Sequence, residues 1–137
     1  MTTTGAISIS QALMVNHTLL ELNMRHNKIG DDGITAIAGS LSNSSITVLD
    51  VIGCGISFVG VRSLTEVLSS NQNIRTLWLW FNPITVDGAR MIMQAAVDNR
   101  VCECVGIDIE YWNDEEVKRM MSILNDRRRQ DVRNYVV

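Results

Sequence analysis

The chain repeats itself every 27 or 28 residues, and that period restricts its fold more than any local motif does. Three segments align directly: Leu19-x-x-Leu22-x-Met24-x-x-Asn27-x-Ile29, Ile46-x-x-Leu49-x-Val51-x-x-Cys54-x-Ile56 and Ile74-x-x-Leu77-x-Leu79-x-x-Asn82-x-Ile84. A fourth, Cys102-x-x-Val105-x-Ile107-x-x-Glu110-x-Trp112, keeps the apolar spacing but loses the Asn or Cys. Two other ladders keep the same beat: Gly5, Gly33, Gly60 and Gly88, and Asn16, Asn43, Asn71 and Asn99. A unit this short cannot bury an apolar face alone, so successive units must stack and share one elongated core.

Each marker has a physical task. The alternating apolar residues fit a strand with one buried face. Asn27 and Asn82 are expected to turn inward at the strand end and satisfy backbone groups there, with Cys54 filling the same slot as a compact, weakly polar side chain. Between Gly and Asn the period becomes helical: Ile34, Ile37, Ala38 and Leu41, then Val61, Leu64, Val67 and Leu68, then Ala89, Ile92, Ala95 and Ala96. The recurring Gly should permit close strand-to-helix packing. The recurring Asn, just past each helix, is expected to close it in a left-handed conformation.

These residues resemble the ribonuclease-inhibitor-like subfamily of leucine-rich repeats, over roughly residues 5–125. The resemblance implies an α/β fold: a right-handed leucine-rich-repeat solenoid in a short horseshoe arc, with parallel strands on the concave face and helices on the convex face. It implies one domain over 1–137, divided into a half repeat 5–18, repeats 19–45, 46–73 and 74–101, a capping repeat 102–130 and a tail 131–137. Relatives of this type include ribonuclease inhibitor, the sensor regions of NOD-like receptors, tropomodulin-type actin cappers and an activator of a nuclear-transport GTPase.

The ends should differ from the middle, because a terminal unit lacks a covering neighbour. A first helix is expected at about 5–15 with Ile9, Ala12 and Leu13 buried. The fourth strand, near 104–108, should lead to a helix capped by Asn113 with Glu116 placed for a capping box, and buried through Val117, Met120, Met121 and Leu124. Trp112 and Tyr111 read as a lid on that end. Arg127, Arg128 and Arg129 read as a solvated helix terminus where positive charge suits the dipole. The tail spacing Val132-x-x-Tyr135-x-Val137 leaves a fifth, edge strand open.

Composition removes several function classes. A net charge of −3 gives no electrostatic footprint for nucleic acid or an anionic membrane. The chain contains no apolar run of membrane-span length, and its opening residues lack a basic n-region, so a cytoplasmic protein is expected. Cys54, Cys102 and Cys104 have no disulfide-framework or metal spacing, and His17 and His26 lie far from them in sequence, so neither metal nor cofactor is expected. Asp31, Asp32 and Asp87 fit helix starts better than catalysis. His26 has no evident Ser or Cys nucleophile nearby, and no catalytic residue is assigned.

What remains is the concave face, onto which the residues between the buried strand positions project. Its rungs read Glu21, Asn23, Arg25 and His26; Val48, Asp50, Ile52 and Gly53; Thr76, Trp78, Trp80 and Phe81; Cys104, Gly106, Asp108 and Ile109. Trp78 and Trp80, two apart, share a side, and with Phe81 they form an aromatic cluster of the kind that anchors protein interfaces. Arg25, Asp50 and Asp108 are the expected polar rim. The bland alternative has Ile52 and Ile109 folding over the aromatics as a surface cluster. The expected function is non-catalytic binding of a protein partner. Regulation of a GTPase or of actin-like filaments, by analogy with the relatives, and self-association through exposed repeat ends stay open beside it.

Overall fold

A computed structural model describes residues 1–134, with side chains described through residue 130. The order is α1 (Thr3–Leu13), β1 (Glu21–Asn23), α2 (Gly30–Leu41), β2 (Val48–Asp50), α3 (Phe58–Leu68), β3 (Thr76–Trp78), α4 (Thr85–Asp98), β4 (Cys104–Gly106), a 3-10 turn (Ile109–Asn113) and α5 (Glu115–Asn134). The four strands form one parallel sheet in sequential order, and consecutive helices pack on one another in a second layer. This is the expected open α/β arc of strand-helix units. Val132 falls within α5, and Tyr135 and Val137 lie outside the described residues.

Register follows the leucines. Leu22, Leu49, Leu77 and Val105 are consecutive partners across the sheet and point into the core. The next row, Met24, Val51, Leu79 and Ile107, is almost wholly buried, as are Ile29, Ile56 and Ile84. A one-residue slip would turn every strand's apolar set outward, so the shared core enforces this alignment. On the helices, Ile34, Ile37, Ala38 and Leu41, then Val61, Leu64 and Leu68, then Ala89, Ile92, Ala95 and Ala96 are buried as expected, while Val67 is partly buried against them. The edge unit is less complete: Leu19 is exposed and Leu22 only partly covered, because only α1 lies before them. In α1 itself Ala6, Ser10 and Leu13 face inward; Ile9 is partly buried and Ala12 is exposed, contrary to expectation.

Two amide ladders tie neighbouring units together. At the strand ends, Asn82 donates to the carbonyls of Val51 and Leu79 at 2.8 and 2.9 Å. Its Oδ1 accepts from the backbone N–H groups of Cys54 and Ile56, each at 3.0 Å, so one side chain stitches two successive turns. Cys54 holds the same slot one unit earlier, its thiol directed at the Met24 carbonyl. The second ladder corrects the sequence reading. Asn71 and Asn99 are buried and not left-handed; Asn99 has φ −73 and ψ 120. Each accepts from the two N–H groups leading into the next strand and donates backward, Asn71 to the Leu41 carbonyl and Asn99 to those of Leu68 and Asn71. They therefore cap the preceding unit's helix, a job that periodicity alone does not reveal. Asn43, on the same beat, is exposed, and Ser44 Oγ takes the Ile46 N–H in its place.

The glycine ladder marks close approach, although between helices and not only between strand and helix. A Cβ on Gly60 would lie 2.6 Å from Asp31 Oδ1 and Ile34 Cγ2 of the preceding helix. Asp31 does more than sit at its own helix start: it accepts from Ser57 and Gly60 N–H groups and from Ser57 Oγ, so it caps α3 from the neighbouring unit.

The C-terminal unit departs most from its reading. Asp114, not Asn113, caps α5, accepting the Val117 N–H at 3.1 Å, so Glu116 is not in capping-box position. The 3-10 turn shifts the phase of the chain, so Tyr111 enters the core while Trp112 stays exposed; only half of the expected lid closes. Val117, Met120 and Leu124 are buried and Met121 packs against them. Arg127 is not solvated: its guanidinium donates to the carbonyls of Ala96, Val97, Asn99 and Cys102, closing the open end of α4. Among the described residues no buried side-chain nitrogen or oxygen lacks a partner.

Candidate functional site

The concave face is set by the strand alternation, and its third rung stands out. Trp78 and Trp80 are half-buried and stacked on each other, ring centroids 4.8 Å apart and planes inclined by 11°. They lean toward β4 over Gly106, where a Cβ would come within 2.5 Å of Trp78 Cε3 and 2.9 Å of Trp80 Cζ2. Gly106 is therefore what lets two indoles lie flat on a parallel sheet. The sequence signal was present, since this glycine falls off the repeat's glycine beat, but its meaning needed the aromatic neighbours.

Phe81 follows at the strand end and is 74% exposed. Its backbone is left-handed, φ 58, as are the equivalent His26 (φ 56) and Gly53 (φ 61) in the two earlier units. Asp108 supports that turn: both of its carboxylate oxygens accept the Phe81 N–H, at 2.9 and 3.0 Å. Ile109, 73% exposed, lines a hollow together with Phe81. Ile52, on the second rung, is by contrast only 4% exposed.

The expected polar rim is changed in detail. Asp50 is buried, taking Arg25 Nη2 at 2.8 Å and Nε at 3.2 Å on Oδ2 and the Ile52 N–H on Oδ1. Asp108 is likewise committed to the backbone of Phe81. Of the three, only Arg25 keeps a substantially exposed side chain, so Asp50 acts as its anchor and not as a separate contact. Trp78, Trp80, Phe81 and Asp108 are brought together; Arg25 and Asp50 form a distinct polar patch on the first two rungs.

Burial pushes the thiols of Cys54 and Cys104 upward and that of Cys102 to about 11, the reverse of an activated nucleophile. The His26 ring packs against Gly53, where a Cβ would come within 2.6 Å of its Nδ1. Among the described residues no group of three or more His, Cys, Asp or Glu could hold a metal ion, and no helix is long and apolar enough to cross a membrane.

Comparison with known proteins agrees with the architecture. A family profile described as "Leucine Rich repeat" matches residues 15–38. The chain is 30% identical over 107 residues to mouse ribonuclease inhibitor, covering 77% of this chain and 23% of that protein. It is 28% identical over 101 residues to human NACHT, LRR and PYD domains-containing protein 13, covering 72% of this chain and 10% of that protein. It thus spans about a tenth to a quarter of the curated relatives it matches. Among solved structures, one titled leiomodin-1 Actin-Binding Site 2 matches 98% of this chain and 80% of its own with a TM-score of 0.78 at 19% identity. The Caenorhabditis elegans tropomodulin C-terminal domain matches 97% and 96% with a TM-score of 0.66 at 18% identity. The repeat period, the inward leucine rows, the full helix in each unit and these matches place the chain in the leucine-rich-repeat family, within its ribonuclease-inhibitor-like branch.

Proposed function

We propose that this chain is a non-catalytic binding module that holds a protein partner on its concave face, with Trp78, Trp80 and Phe81 as anchors and Arg25, steadied by Asp50, as a polar contact. The observation that carries this reading is the stacked tryptophan pair laid on the sheet beside the protruding Phe81. Large aromatics gain much contact area for little lost rotamer freedom, and a few of them carry most of the energy of an interface. Stacked repeats supply rigid presentation, since both amide ladders link each unit to the next. Affinity capture with the wild type and with the Trp78→Ala/Trp80→Ala double variant tests it. Partners retained by the wild type and lost by a variant that still unfolds cooperatively support the reading; undiminished capture by the variant overturns it.

A second reading has the module act on actin or an actin-like filament, favoured by the fold likeness to the leiomodin-1 and tropomodulin domains over nearly the whole chain. Co-sedimentation with filamentous actin and the rate of filament growth decide it. No retention and no change in growth at tens-of-micromolar protein would remove it.

A further inference from the structure

We infer that the hollow between Phe81 and Ile109 is the specificity pocket of the concave face, built for an apolar side chain followed by Lys or Arg on a partner segment. This rests on the proposed protein-binding role of that face. The hollow is lined by Phe81, Asn82, Pro83, Asp108, Ile109 and Glu110. Its walls are two of the most exposed apolar side chains of the molecule, on adjacent units at the same strand end. Its charge is of one sign. Asp108 and Glu110 lie beside the apolar walls, and among the described residues neither carboxylate has a cation within 4.0 Å.

The two carboxylates beside the apolar walls assign the ligand chemistry. Asp50, the other acid near the aromatic rung, is neutralised by Arg25, whereas Asp108 and Glu110 have no such cation among the described residues. Asp108 holds the Phe81 N–H with both oxygens, yet its carboxylate lines the hollow and retains further lone pairs and its full negative charge there. A segment with an apolar side chain between the walls and a cation just beyond complements both features. An acidic segment would meet uncompensated like charge.

The test uses the full chain, isotope-labelled, titrated with two blocked synthetic heptapeptides. One reads Gly-Ser-Leu-Lys-Lys-Ser-Gly and the other Gly-Ser-Leu-Glu-Glu-Ser-Gly. The lysine peptide should shift the amide signals of Phe81, Ile109 and Glu110 and bind on the order of tenfold more tightly than the glutamate peptide at low salt, with the difference shrinking as salt rises. Glu110→Gln should weaken the lysine peptide about two- to fivefold. Phe81→Gly should abolish binding yet fold normally, because Gly53 already occupies the equivalent left-handed position. No shifts up to the peptide's solubility limit, equal binding of the two peptides, or normal binding by Phe81→Gly each overturn the assignment. The tryptophan-dependent capture described above is read separately, so failure of the pocket is distinguishable from failure of the binding face.

Discussion

Replacing Asn82 with alanine removes a side chain that is nearly inaccessible and bonded on every polar edge. Its Oδ1 is the only described partner of two backbone donors, Cys54 N–H and Ile56 N–H, each 3.0 Å away. Its Nδ2 satisfies the carbonyls of Val51 and Leu79. A buried donor left without a partner costs about 1–3 kcal/mol, so two orphaned N–H groups alone predict a loss of about 2–6 kcal/mol. That is a large share of the roughly 5–15 kcal/mol that holds a domain folded. Asn82→Cys should lose only slightly less than alanine, because a thiol can give a carbonyl a weak hydrogen bond, as Cys54 gives Met24, but leaves both N–H donors unmet. Asn43→Ala is the matched control. It changes an asparagine on a repeat beat whose side chain is exposed, and should alter stability by no more than about 0.5 kcal/mol. Urea unfolding followed by far-ultraviolet circular dichroism measures all three. A loss below about 1 kcal/mol for Asn82→Ala, or near-native stability of Asn82→Cys, would refute the argument that unmet backbone donors set the cost.

Arg127→Met should cost about 2–4 kcal/mol, and Arg127→Lys should recover little of it, since a compact ammonium cannot span four carbonyls; chemical denaturation of the two variants checks this. In the native protein an aromatic disulfide reagent should leave Cys54 and Cys102 untouched and react slowly with Cys104, faster as pH rises; rapid release of more than one equivalent near neutrality would contradict the burial of those thiols. The Arg90 guanidinium, and then the Val117 N–H, hold the Asp114 carboxyl down at about 2. Because the folded value is depressed, its contribution to stability is fully present above the ordinary carboxylate range near 3.9 and is lost as pH falls toward about 2. Asp114→Asn should flatten that part of a stability-against-pH curve, and an unchanged slope between pH 5 and 2 would count against the pair.

Most of the fold was legible because its causes are local and repeated. The strand alternation in Leu22-x-Met24, Leu49-x-Val51 and Leu77-x-Leu79 and the helical stripes between them say which residues go inward, and the constant 27–28-residue beat says that units stack in order. The aromatic cluster on the third rung followed from the same alternation. Expectations failed where a residue's role depends on the neighbouring unit. Asn71 and Asn99 share a beat with Asn43, yet the first two reach backward to cap another helix and the third does not. Asp50 seemed a rim residue until Arg25, a unit away, closed over it.

Side-chain periodicity along single elements thus accounts for the repeat, the parallel order, the inward rows and the placement of Trp78, Trp80 and Phe81 on one face. The tilt of the tryptophans onto Gly106, the opening of a hollow between Phe81 and Ile109, the exchange of Tyr111 for Trp112 in the core and the capping work of Arg127 arise only once the units are packed together. Those depend on the offset between adjacent units and on the phase shift of one 3-10 turn. Periodicity fixes which side of an element a residue occupies, but not what the next unit brings opposite it.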